Sequence, residues 1–225
     1  MEKYEIALNI QIKAFGNRHP DIARLHNNIG TVKNKLADYV GALAHYQSAL
    51  DIQKSIFKNE HPDIAITLSN MGSTYEAKED FTRAMESFQK ALDIRLKFYG
   101  KQHLETARSY DDIAGILNKQ SKWRKAFQNY KIALDIETTA GSAGDADLAR
   151  TLNNLGSLYF RREEFSKAVN EYSKALEIQK RIFGNKGENC DKQQRICQQF
   201  YRCRNVDAPF FDKCQQIDFT NGNAR

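Results

Sequence analysis

His19-Pro20-Asp21-Ile22-Ala23 recurs 42 residues later as His61-Pro62-Asp63-Ile64-Ala65. A second step of 42 lands on His103-Leu104-Glu105-Thr106-Ala107, and a third on Asp145-Ala146-Asp147-Leu148-Ala149. A period of this length marks one supersecondary unit stacked on copies of itself, because a single unit cannot bury its own apolar face. Four full units follow: 19–60, 61–102, 103–144 and 145–186.

Inside each unit small and large residues keep one register. Gly30, Gly72, Ala114 and Gly156 form a first small set; Ala42, Ala84, Ala126 and Ala168 a second; Ala49, Ala91, Ala133 and Ala175 a third. Aromatic sets run between them: Tyr39, Phe81, Trp123 and Phe165, then Tyr46, Phe88, Tyr130 and Tyr172. Two antiparallel helices approach to about 8–10 Å only where the side chains at the crossing are small, and rings fill the volume alongside.

Helix A of each unit starts at the His-Pro-Asp segment. Pro suits the first helical position, where its missing N–H would be unpaired anyway, and the acid after it favours the positive end of the helix dipole. The pattern predicts helix A to about residue 36 in the first unit and helix B over 39–57, with short polar turns between them. The third unit closes differently. Thr138-Thr139-Ala140-Gly141-Ser142-Ala143-Gly144 replaces the usual Lys/Phe/Gly ending, which predicts a shorter helix B and a mobile joint.

Gly in helix A, an aromatic at the turn, then Ala, aromatic and Ala along helix B resembles the tetratricopeptide repeat (TPR). The 42-residue period, the His-Pro-Asp opening, and the runs Leu152-Asn153-Asn154-Leu155-Gly156 and Ala91-Leu92-Asp93-Ile94 are similar to its kinesin light chain-like and nephrocystin-like subclass. The resemblance covers 19–186 in full and 1–18 in part. It implies an all-α fold, a right-handed superhelical solenoid of antiparallel helix pairs, and a non-catalytic scaffold that binds other polypeptides. The heptad coiled coil that joins kinesin light chains to their heavy chains is not in the sequence, so motor association does not carry over.

Both ends depart from the repeat. Tyr4, Ala7 and Leu8 sit 42 residues before Tyr46, Ala49 and Leu50, so 1–18 reads as a partial repeat with helix B only. It is either an N-terminal cap over the exposed end of the stack or the remnant of a truncated gene model. After Lys186 the register is lost, and 187–225 reads as a non-repeat C-terminal helix, centred on Ile196, Phe200 and Tyr201, followed by a loose tail.

The 225 residues are 41% hydrophobic and 28% charged, with three prolines, a balance that fits a folded, helix-rich chain. No apolar run approaches the roughly 18 residues a membrane span needs, and Met1–Ala7 has no basic start followed by an apolar stretch. The expected setting is cytoplasmic, without a membrane partner. The formal charge of +6 is spread thinly: no unit carries more than two net positive charges. Phosphate binding needs basic residues gathered on one face, so nucleic acid is not an expected partner.

No phosphate loop, nucleophile elbow or zinc-helix motif is present, and neither an enzyme activity nor a cofactor is expected. Cys190, Cys197, Cys203 and Cys214 lack the short ligand spacing of a zinc knuckle. His19, His61 and His103 recur as helix starts a whole repeat apart, and His26 and His45 have no counterparts in other units. No metal site is read from either group.

Binding is expected on helix A, which the resemblance places along the concave groove. The residues flanking its Gly are Arg24, Asn27, Asn28, Thr31, Asn34 and Lys35 in the first unit and Ser69, Asn70, Ser73 and Glu76 in the second. The third supplies Arg108, Asp111, Asp112, Asn118 and Lys119, and the fourth Arg150, Asn153, Asn154, Ser157 and Arg161. Asn is a mediocre helix former, so its recurrence asks for a reason. Its amide both donates and accepts, which suits an extended peptide backbone whatever its side chains. Satisfying neighbouring helices inside the repeat is the alternative.

Arg24, Arg108 and Arg150 predict a mildly basic groove suited to an acidic or carboxylate-bearing peptide, with an acidic patch at Asp111-Asp112. The carboxylate clamp for chaperone tails would need a basic residue where Asn28, Asn70, Asp112 and Asn154 stand. The expected function is thus a protein or peptide ligand held in the groove. The alternative is a fragment of a larger protein whose catalytic or motor-associated domain lies elsewhere.

Overall fold

A computed structural model describes residues 16–57 and 60–183, with Ile6, Ile12 and Lys13 before them. The partial repeat read over 1–18 and the helix and tail read over 187–225 lie, but for those few positions, outside it. Among the described residues every regular element is helical. The order is α1 Pro20–Lys35, α2 Tyr39–Phe57, α3 Pro62–Ala77, α4 Phe81–Tyr99, α5 Leu104–Lys119, α6 Trp123–Thr139, a 3₁₀ helix Gly141–Gly144, α7 Asp145–Arg161 and α8 Phe165–Phe183. Two compact units divide the chain, Met1–Asn129 and Tyr130–Arg225.

The starts of α1, α3 and α5 share a cap made by histidine. The Nδ1 atoms of His19, His61 and His103 accept hydrogen bonds from the backbone N–H two residues on, at 3.2, 3.2 and 3.1 Å. These histidines are extended N-caps, so an imidazole does the work usually given to Ser or Asp. His61 also stacks on Phe57, and His103 on Tyr99, with ring centroids 3.9 and 4.2 Å apart. The histidine therefore fastens the end of one helix B to the start of the next helix A.

Each A helix ends in one recurrent motif. Ala37, Glu79, Ser121 and Glu163 all have φ near +60°. In the first turn Asp38 N–H donates to the Lys33 carbonyl and Ala37 N–H to that of Asn34, and the same pair of bonds recurs in the other three. This is the Schellman arrangement, here without the glycine that usually occupies the left-handed position. Asp38 and Asp80 then cap the following helix through the N–H groups of Gly41 and Arg83. Three residues thus reverse the chain and lay helix B back along helix A.

The crossing between the two helices rests on glycine. A Cβ on Gly30 would fall 2.6 Å from the Tyr46 ring, one on Gly72 2.7 Å from Phe88, and one on Gly156 2.7 Å from Tyr172. The rings lie directly on bare backbone, and the alanines at 42, 49, 84, 91, 168 and 175 are essentially fully buried around them.

Successive pairs are joined by a polar clip inside the apolar seam. Thr67 Oγ1 donates to Gln53 Oε1 at 2.8 Å, Arg95 Nη1 to Ser109 Oγ at 2.6 Å, and Thr151 Oγ1 to Glu137 Oε1 at 2.9 Å. All six residues are buried. The spacing is 14 residues each time, from the last turns of helix B to the middle of the next helix A. Asn27 extends the first clip by donating to Thr67, and Ser69 the second by accepting from Arg95. Burial pulls the Arg95 guanidinium below the ordinary arginine range, an effect opposed first by Glu105, 3.5 Å away, and then by Asp112.

The close of the third unit combines a shorter helix B with a 3₁₀ turn. Helix α6 has 17 residues where α2, α4 and α8 have 19. The Gly/Ser-rich segment expected to be a mobile joint is instead the 3₁₀ helix, whose buried Gly144 sits against the Glu137 carbonyl where no side chain fits. Asp145, at the start of α7, is held by Arg181 Nη2 at 2.6 Å.

Two outcomes test these joints. His61→Ala should cost about 1–2 kcal/mol through loss of cap and stack together, and His61→Asn should recover the cap share; urea unfolding and the hydrogen-exchange rate of the Asp63 amide report both. Arg95→Ala should cost about 3 kcal/mol by stranding the hydroxyls and acids around it, whereas Arg95→Gln, which copies the Gln53 clip, should recover more than half in the same assay.

Candidate functional site

On a helix, positions spaced by four, three and four residues share a face. Arg24, Asn28, Thr31 and Lys35 form such a stripe on α1, with Thr31 at its inner edge accepting a hydrogen bond from the Tyr46 hydroxyl of α2 at 3.2 Å. Its repeat counterparts are Ile66, Asn70, Ser73 and Ala77 on α3 and Arg108, Asp112, Gly115 and Lys119 on α5. None of these residues is buried, and Ile66 is 47% exposed. In the second unit, Arg150, Asn154, Ser157 and Arg161 make the same stripe on α7.

The residues expected to line the groove therefore divide. Arg24, Asn28, Lys35, Asn70, Arg108, Asp112, Arg150 and Asn154 lie on the outer stripe. Asn27, Ser69, Asp111 and Asn153 occupy the neighbouring register, one residue earlier on each helix. Asn27 is only 9% exposed and is spent on Thr67, and Ser69 is half-buried against Arg95. Asp111 is 2% exposed, and Asn153 is half-buried. Asn27 and Asp111 are thus corrected from groove to interior. A one-residue step along a helix rotates a side chain by about 100°, so neighbours such as Asn27 and Asn28 serve different surfaces. Asn34 is half-buried at the end of α1; its backbone carbonyl closes the turn, and its side-chain Oδ1 is buried with no hydrogen-bond partner.

The electrostatics also differ from the sequence expectation. Each arginine of the matched series faces an acid three residues earlier on its own helix: Arg24 with Asp21 at 2.7 Å, Arg108 with Glu105, and Arg150 with Asp147 at 3.4 Å. Lys119 reaches across from α5 to Glu76 on α3 at 2.9 Å. The stripe is closer to neutral than a count of its basic residues suggests. The acidic patch has a local cause too, because Asp112 and Glu105 supply countercharge to the buried Arg95. The first and third seams use Gln53 and Glu137 instead, and their following A helices carry Asn70 and Asn154 at the Asp112 register.

Two features escaped sequence reading. The clip residues at 53, 95 and 137 differ in charge and so do not look alike; the signal was a position kept polar between apolar neighbours in helix B. His26 and His45, read as unrelated, meet with their Nδ1 atoms 3.0 Å apart.

A concavity opens on the opposite side of α3. It is a cleft of about 650 Å³ between α2 and α4, floored by Leu50, Ile64, Leu68, Met71 and Ile94 and rimmed by Lys54, Glu86, Lys90 and Asp93. Its lining contains no histidine or cysteine, and among the described residues no group of three or more His, Cys, Asp or Glu converges. No described helix is long and apolar enough to cross a membrane.

The model of the tetratricopeptide repeat matches residues 2–55, 21–97, 63–138 and 105–181. No curated protein sequence matches the chain. Among solved structures it is similar to BtubC (BKLC) from P. vanneervenii, at 21% identity over 82% of this chain and 74% of that one, with a TM-score of 0.68. A Podosopora anserina protein named for kinesin light chain, with nearly identical TPR-like repeats, matches at 14% identity over 92% and 99%, also with a TM-score of 0.68. The apo form of RapI matches at 16% identity over 80% and 68%, with a TM-score of 0.63. With overlapping family matches running from residue 2 to 181 and the same helix-pair fold in these structures, the chain belongs to the tetratricopeptide repeat family.

Proposed function

We propose that this protein is a non-catalytic scaffold that holds an extended segment of a partner protein against the outer stripes of its A helices. Family membership supports protein interaction in general terms. The finer reading rests on one observation: Asn28, Asn70 and Asn154 recur at one register of the A helices, and none of the three is buried. An amide there offers a donor and an acceptor to a passing peptide unit, and Asn28 and Asn70, one 42-residue repeat apart in the first compact unit, suit an elongated ligand rather than a compact one.

Charge plays the smaller part. An acidic segment would draw Arg24 and Arg108 away from Asp21 and Glu105, exchanging one exposed pair for another, and such pairs contribute only about 0–1 kcal/mol each. Ile66 adds an apolar spot between those arginines for a partner side chain. Lys35, exposed at the far end of the α1 stripe, favours an acidic residue of the partner there. A cytoplasmic partner fits this reading.

Affinity capture with wild type and with Asn28, Asn70 and Asn154 all changed to Ala tests it. The triple variant should keep its helical circular dichroism and lose at least tenfold in affinity for the captured partner, with only shallow salt dependence. If every partner binds the variant as wild type does, the stripe is not the site; a steep salt dependence would instead mean that charge dominates.

A further inference from the structure

His26 on α1 and His45 on α2, which the repeat leaves without counterparts, face each other across the first helix pair. Their Nδ1 atoms are 3.0 Å apart, and their rings stand 5.2 Å between centroids at 38°. Both are half-buried. One nitrogen carries a proton that the other accepts.

What a proton bridges, a metal ion can bridge when the bond lengths agree. With metal–imidazole bonds of about 2.0–2.1 Å, nitrogens at this spacing subtend about 94° at the ion, whereas a tetrahedral angle needs them about 3.3 Å apart. The spacing therefore matches two cis positions of a square-planar or octahedral ion. We propose that His26 and His45 form a two-imidazole site for Ni²⁺ or Cu²⁺, the ions whose tetragonal geometry and liking for imidazole fit this bite.

Loading needs no change of charge on the pair. The donor imidazole passes to its Nε2–H tautomer, both Nδ1 lone pairs turn toward the ion, and water takes the remaining positions. Burial and the neighbouring His45 both disfavour protonation of His26. The second repeat shows what the site looks like without ligands, since the matching positions hold Leu68 and Ser87.

The test uses the full, untagged chain with its thiols alkylated by iodoacetamide, compared with the variant His26→Leu/His45→Ser. Calorimetric titration with Ni²⁺ should show one more bound equivalent in wild type than in the variant, at least tenfold tighter than Zn²⁺ at that site. Cu²⁺ should give a paramagnetic resonance spectrum with nitrogen coupling that the variant lacks. Equal stoichiometry in the two proteins would overturn the site, and Zn²⁺ binding as tightly as Ni²⁺ would overturn its geometry. Should the double variant lose its helical signal, His45→Ser alone makes the same comparison.

Discussion

In three of the four helix pairs a ring laid on a residue without a side chain sets the distance between the helices, with Ala114 standing at the same register in the other, and the rest of the structure follows from that distance. Tyr46 on Gly30, Phe88 on Gly72 and Tyr172 on Gly156 bring two backbones close enough for three-residue turns to close without slack. The turns take a left-handed residue that is not glycine, at a conformational cost of about 1–2 kcal/mol each, offset by the Schellman bonds and the aspartate caps around it. Because each pair is thin, its other face needs a neighbour. Stacking is thereby a condition of folding rather than an addition to it.

The seam between neighbours is apolar with one polar clip at its centre. A buried hydrogen bond adds little net stability, but an unmatched partner is expensive, so the clip penalises wrong neighbours more than it rewards right ones. Three seams solve the problem with an amide, a guanidinium and a carboxylate against a hydroxyl. The charged solution spreads outward: Arg95 draws Glu105 and Asp112 to itself, and so alters the outer stripe of the third repeat. Part of what looks like ligand chemistry on the surface is thus the electrostatic consequence of packing inside.

The same separation governs the proposed ligand face. Adjacent asparagines on one helix point about 100° apart, and only one of them faces outward. A scaffold of this kind obtains its binding surface from the residues that stacking does not consume.

The amino-acid sequence by itself determined the repeat, its length, its helix boundaries to within about a residue, and the small and aromatic positions at which helices cross. Those are periodic properties, and periodicity survives in one dimension. The family likeness was legible for the same reason. What only the tertiary structure decided is which polar residues are inside: Asn27 against Asn28, Asp111 against Asp112, the clips at Gln53, Arg95 and Glu137, and the meeting of His26 with His45. These depend on contacts between residues 14 to 40 apart in the chain, and on the net cost of burying a charge among its neighbours, which no single position reveals.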